Sequence, residues 1–300
     1  MIKHLHDPAR RLPATLLVLL VLASVNASIN TSANASSSNG LAPASLQSDR
    51  QSDSEQQDRY NLCLNLVEKV PDKGINNALE WQLEGGGVPA RHCEALGLFY
   101  AGEYSEAAVR LEGIAEDMRI GRGMPVRGDE RATATASMLA DTYGQAANAW
   151  LLGGEIVRAE ASIGQALALA PPRSRLERSL RVTRARVAAA EEDFTLALSE
   201  LEKVLRAEPG RTDLLLFVAA AARGTADFSK AEGALNRYIK LYPVDPSAYL
   251  ELGNLKDALG NSVAARQAWL KVLTLAEIGP DADAARANIE RVDVVKDESP

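Results

Sequence analysis

Small alanines recur at a fixed beat through the C-terminal half of this chain, and they constrain its fold more than any other feature. They stand at Ala159, Ala197, Ala231 and Ala265, spaced 38, 34 and 34 residues apart. Each of the first three is followed twelve residues later by a proline, Pro171, Pro209 or Pro243. Each is also preceded, three places earlier, by Ile156, Phe194 or Phe228. A period near 34 residues is that of a helical hairpin repeated along a solenoid. One hairpin cannot bury its own apolar face, so hairpins of this length must stack. The small residue then marks the closest approach of the two helices in a hairpin. A larger side chain there would prise them apart and open gaps nearby.

Between Asp227 and Tyr238 the apolar residues Phe228, Ala231, Leu235 and Tyr238 step by three and four, so they line one helical face. Asp227 lies just before them, where a short acidic side chain caps the first free amides of a helix. Tyr242-Pro243 closes the helix, because proline lacks the amide that would continue it. The next helix is predicted from Pro246 to about Leu259, with Tyr249, Leu252 and Gly253 as its buried positions. Gly260-Asn261 makes the turn, and the partner helix runs from Ser262 to about Leu275. No alternating strand pattern occurs beyond the N-terminus, so the expected class is all-α.

This combination of small residue, aromatic and closing proline resembles the tetratricopeptide repeat (TPR). The match is best over about 212–277, which carries Tyr249, Leu252, Gly253, Ala265 and Trp269 at motif-like places. It holds over 140–172 and over 176–209, the latter with four extra residues. A unit at about 88–119 keeps Ala95, Tyr104 and Ala107 without the closing proline, and 57–84 reads as a degenerate first hairpin. The resemblance implies a right-handed helical-hairpin solenoid in which the first helix of each hairpin lines a concave face. The family register puts Asp141, Asn148, Arg186, Asp213, Arg223, Ser247, Asn254 and Asp257 on that face. Asn148 and Asn254 are similar to the asparagines of the carboxylate-clamp subclass, which grips a peptide C-terminus. Gly144 and Leu250 stand where a clamp lysine is expected, so a mixed polar groove is the better expectation.

The N-terminus reads as a targeting segment. Lys3, Arg10 and Arg11 form a basic start, Leu12 to Val25 is mostly apolar, and Val25-Asn26-Ala27 offers small residues for cleavage. The apolar run is short for a membrane span of ~20 residues, which leaves an uncleaved anchor as the alternative. Removing residues 1–27 takes away three cations and one anion, so the net charge moves from −7 to −9. A chain this acidic repels phosphates, which argues against nucleic acid as a partner. Residues 28–56 are rich in Ser, Asn, Ala, Gln and Asp without a periodic apolar face, and are expected to be a disordered linker. The expected organisation continues with degenerate hairpins over 57–120, a loop insertion at 121–131, TPR-like repeats over 132–277, and a capping helix and tail over 278–300. The insertion is inferred from Ala107 to Ala159, a step of 52 residues.

Cys63 and Cys93 are the two cysteines, 30 residues apart and so nearly one repeat. In an oxidising compartment paired thiols usually close. Residues one repeat apart face each other across neighbouring first helices of a stack, so a Cys63–Cys93 bridge is expected. A metal site needs more ligands than these two and His92 supply. Two free thiols are the alternative if the chain is not exported.

Chemistry is hard to find. Histidines occur at 4, 6 and 92; His92 reads as a helix-surface residue. Glu84-Gly85-Gly86-Gly87-Val88-Pro89 has no following Lys-Ser/Thr and reads as a turn rather than a phosphate cradle. No carboxylate pair stands out as an acid–base couple. No cofactor and no catalytic residue are expected. The leading expectation is a non-enzymatic, periplasmic TPR scaffold that holds a protein or peptide in its groove and assists an envelope complex, with no membrane span after signal removal. The other reading is a helical platform for glycan or peptidoglycan beside a cell-wall enzyme, which needs exposed aromatics. Trp81, Trp150 and Trp269 stand at positions typical of buried faces.

Overall fold

The structure, a computed structural model, describes residues 44–127 and 130–297. The expected signal peptide and linker residues 28–43 lie outside them. Thirteen α-helices occur among the described residues: α1 (Ala44–Lys69), α2 (Pro71–Leu83), α3 (Gly87–Tyr100), α4 (Tyr104–Arg119), α5 (Ala136–Leu152), α6 (Ile156–Leu169), α7 (Arg175–Ala190), α8 (Phe194–Ala207), α9 (Leu215–Gly224), α10 (Phe228–Leu241), α11 (Pro246–Ala258), α12 (Ser262–Leu275) and α13 (Pro280–Asp297). A 3₁₀ turn, Thr212–Leu214, leads into α9. The described residues fall into two compact units, 44–183 and 184–297, with the boundary inside α7.

Local chemistry sets the hairpins. Thr135, Asp193, Asp227, Asp245 and Asn261 each cap the following helix by accepting a backbone amide. Pro71 and Pro246 open α2 and α11, where the missing amide costs nothing. The turn inside each hairpin after α1–α2 uses one left-handed residue just before the cap position: Gly102, Gly154, Glu192, Ala226 and Gly260. The last four repeat the alanine spacing. Gly260 takes this conformation freely, whereas Glu192 and Ala226 adopt it against the clash of their own Cβ.

The alanines sit where the period places them. Ala107, Ala159, Ala231 and Ala265 are fully buried and Ala197 nearly so. In the C-terminal unit, Trp269 on α12 fills the space over Gly253 on α11 and packs with Leu250, Ala265, Val272, Ala285 and Val292. Here the expected register needs correction. Leu250 and Leu255 are fully buried while Tyr249 and Leu252 are only half-buried. A first helix packs against its partner and against the next first helix, so its buried face is wider than one stripe.

The unit 44–183 begins with α1 and α2 folded back on each other. α1 starts at Ala44, so residues 44–56 are helical where composition suggested linker. Cys63, Val67, Ala78 and Cys93 form a small core between α1, α2 and α3. Further along, Val88, Leu111, Ile114, Met118 and Leu139 enclose Met124, which comes from the segment between α4 and α5. That segment is docked rather than protruding: the Gly123 carbonyl accepts the Val88 amide at the start of α3. It also holds a two-residue ribbon, Val126–Arg127 paired antiparallel with Glu130–Arg131, a strand element the sequence pattern does not reveal. Among the described residues no helix is long and apolar enough to cross a membrane.

Candidate partner-binding face

First helices of adjacent hairpins pack side by side within each unit: α1 with α3, α9 with α11, and α11 with α13. The eight residues placed on that face by register sit on these helices, on α5 and α7, and on the turn before α9.

In the C-terminal unit Arg223, Ser247, Asn254 and Asp257 turn sideways to the neighbouring first helix. Ser247 Oγ donates to Asp281. Asn254 Oδ1 accepts from Asn288 Nδ2 at 3.1 Å and from Trp269 Nε1 at 3.2 Å. Asp257 accepts from Arg291 at 2.6 Å. All three partners on α13 lie 34 residues downstream, one repeat away. Arg223 on α9 holds Glu251 on α11 through two bonds of 2.7 and 3.2 Å; Glu251 is buried and the Arg223 side chain is 10% exposed. Asp213 is exposed and held by Arg211. Burial pushes the Arg186 guanidinium down to about 10. Burial, reinforced by Asp245, raises the Asp281 carboxyl above its ordinary range. The partners Glu251, Asp281, Asn288 and Arg291 were not anticipated. For the last three, adding 34 to 247, 254 and 257 would have found them.

In the unit 44–183, Asp141 on α5 accepts from Gln145 Nε2 at 2.8 Å. Gln145 Oε1 meets His92 Nε2 at 2.7 Å, and His92 Nδ1 meets the Tyr60 hydroxyl at 2.6 Å. His92 is therefore not a free surface histidine, as its sequence context suggested. It lies half-buried on α3, facing α1 and α5, and desolvation there lowers its proton affinity. Burial likewise raises the Asp141 carboxyl. Asn148 is half-buried on α5. Cys63 and Cys93 are joined in a disulfide with Cα atoms 6.2 Å apart, both sulfurs out of solvent. Among the described residues no three His, Cys, Asp or Glu side chains converge as metal ligands would.

Trp81, Trp150 and Trp269 are all buried. Trp150 Nε1 and Ser162 Oγ both donate to Glu112 Oε1, which ties α4, α5 and α6. None of the three tryptophans offers an open ring to a ligand.

A family described as tetratricopeptide repeat matches residues 188–255. No curated protein matches the chain. Among solved structures, a tetratricopeptide repeat protein from Parabacteroides merdae aligns at TM-score 0.53 and 11% identity, covering 78% of this chain and 84% of that one. Cut9, in its hetero-tetramer with Hcn1, aligns at TM-score 0.55 and 14% identity, covering 79% of this chain and 46% of the other. MamA from Desulfovibrio magneticus aligns at TM-score 0.49 and 18% identity, over 63% of this chain and 94% of that one. At these identities the first two likenesses show a shared fold.

Proposed function

From the premise that residues 188–255 are tetratricopeptide repeats, we propose that the chain is an exported, non-enzymatic scaffold. It holds a protein or peptide segment along the face formed by its first helices. The observation that carries this reading is the row of polar side chains on α9, α11 and α13, hydrogen-bonded to one another, with the three links between α11 and α13 at one-repeat spacing. Polar groups fixed before a partner arrives lose less freedom on binding, so such a face is preorganised. Repeat stacks present extended surfaces of this kind. Service to an envelope complex in the periplasm is part of the proposal; it rests on the basic start, apolar run and small-residue site of residues 1–27. The glycan-platform reading needs aromatic rings open to a sugar, and the buried tryptophans favour the protein-binding reading instead.

A photo-crosslinking residue placed at Asp213 or Asp257 in the native host tests this reading, with Val263 and Lys271 on α12 as controls. One partner captured from the first-helix positions and not from α12 is the expected result. Capture confined to α12 overturns it. Mass spectrometry of the same material tests export, with a chain starting near Ser28 expected and intact Met1 as the contrary outcome.

A further inference from the structure

Three hydrogen bonds run in series through one half-buried imidazole and join three first helices of the unit 44–183. From α1 to α5 they are Tyr60 to His92 Nδ1, His92 Nε2 to Gln145 Oε1, and Gln145 Nε2 to Asp141 Oδ2, at 2.6, 2.7 and 2.8 Å. The roles follow from the Asp141 end. A carboxylate only accepts, so Gln145 turns its amide hydrogens to Asp141 and its oxygen to His92. His92 Nε2 must then carry a hydrogen. In the neutral ring Nδ1 accepts from the Tyr60 hydroxyl, whereas a charged ring has to donate to the Tyr60 oxygen instead.

We propose that His92 is a proton-operated catch that holds α1 against α3 and α5. Neutral, it completes the chain. Protonated, it releases Tyr60 and loosens the first hairpin, while the Cys63–Cys93 bridge limits the opening.

An incoming proton takes the Nδ1 lone pair that accepts from Tyr60. The Tyr60 oxygen must then turn to accept, and its own hydrogen has no second acceptor bonded to it among the described residues. A half-buried hydroxyl that loses its acceptor weakens the contact. The groups facing the ring are few. Tyr60 approaches from α1 with ring centroids 6.0 Å apart, and Gln145 and Asp141 approach from α5. On α3 itself Arg91 is engaged by Asp117 and Glu94 by Gln82, and Arg59 on α1 by Glu84. Desolvation opposes a charge on the imidazole more strongly than the Gln145 hydrogen bond and the Asp141 carboxylate together favour it, so the proton affinity of the ring is lowered.

The sign follows. Folding lowers the proton affinity of His92, so the unfolded chain binds the proton more readily. The stabilisation is fully present above the ordinary histidine value of 6.5 and is lost as pH falls from there toward the folded value. Asp141 works in the opposite sense, because its carboxyl is raised and regains a proton more easily in the fold. Its window opens above the ordinary 3.8. The bridge acts on the same seam, since Cys63 lies one turn from Tyr60 and Cys93 is adjacent to His92.

His4 and His6 are the other histidines, so the full chain with His4→Gln and His6→Gln carries His92 as a single NMR probe. Its ring resonances, followed against pH, should show the Nε2–H tautomer at neutral pH and a midpoint below that of the same chain in urea. Tyr60→Phe, which leaves no hydroxyl to displace, should move the midpoint up toward the unfolded value. Hydrogen exchange of peptides from 57–69, corrected for intrinsic rates, should speed up several-fold on acidification in the reduced chain and less in the oxidised one. A midpoint at or above the unfolded one overturns the catch. So does the same acid response of 57–69 in a His92→Gln chain that remains helical.

Discussion

Gly253 and Gly233 are both helical glycines, yet alanine should have opposite effects at the two. A Cβ on Gly253 would stand 2.2 Å from Trp269 Nε1 and 2.4 Å from Cδ1, and that ring is buried and hydrogen-bonded to Asn254. A Cβ on Gly233 meets nothing within 4 Å. Replacing an unhindered helical glycine by alanine stabilises by roughly 0.5–1 kcal/mol. Forcing extra volume into a packed core costs about 1–3 kcal/mol. Gly233→Ala should therefore raise the urea midpoint and Gly253→Ala should lower it, despite the identical change in helix propensity. Ala226 offers a third case. It holds φ at 58° in a turn where Gly260 serves in the next hairpin. Left-handed backbone costs a residue with a Cβ roughly 1–2 kcal/mol, so Ala226→Gly should stabilise by about 1 kcal/mol. Thermal unfolding would check the sign. The alanine positions were legible in the sequence because a close approach tolerates little else. The sequence pattern points to Tyr249 and Leu252 as core in place of Leu250 and Leu255, since a helix with two packing partners has no single periodic stripe.

At the scale of the element, α13 is the informative case. Pro280, Ala282, Asn288 and Ile289 stand 34 residues after Pro246, Ala248, Asn254 and Leu255, so α13 carries the pattern of a first helix. It packs on α11 and α12. Where α11 presents Tyr249, Leu252 and Gly253 to its partner, α13 presents Asp283, Arg286 and Ala287, all exposed. The charged face explains how the helix ends a stack in contact with water, as terminal repeats do. The expected organisation has a capping helix over 278–300, and its repeat register shows in the bonds to α11. Those bonds differ in weight. Glu251 is buried and the Arg223 side chain is 10% exposed, and removing one partner of a buried pair costs roughly 3–5 kcal/mol because a charge is left behind. Asp257 and Arg291 are partly exposed, and such pairs contribute about 0–1 kcal/mol. Glu251→Ala should therefore unfold the 184–297 unit at markedly lower denaturant than Asp257→Ala does. Equal midpoints would mean that the buried pair is not buried in solution.

For the molecule as a whole, the Cys63–Cys93 bridge links sequence, fold and compartment. The spacing of nearly one repeat pointed to adjacent first helices, and α1 and α3 are the helices it joins. The groove was less legible than the bridge, because a register names a face without naming the neighbour that each polar side chain will choose. The bridge closes a loop of 30 residues, which in the chain-entropy model contributes roughly 3–4 kcal/mol by restricting the unfolded state. That loop lies wholly within 44–183, around a small core of Cys63, Val67, Ala78 and Cys93. Repeat arrays draw stability from each hairpin and its nearest neighbours, so a local loss is not shared evenly. Reduction should therefore strip amide protection from α1, α2 and α3 and leave 184–297 as protected as before. Hydrogen exchange with and without reductant, read peptide by peptide, measures this. Two free thiols in protein recovered from its native compartment would remove the bridge from the account. A loss of protection spread evenly over both units would keep the bridge and reject its local action, because the chain would then unfold as one cooperative body rather than hairpin by hairpin.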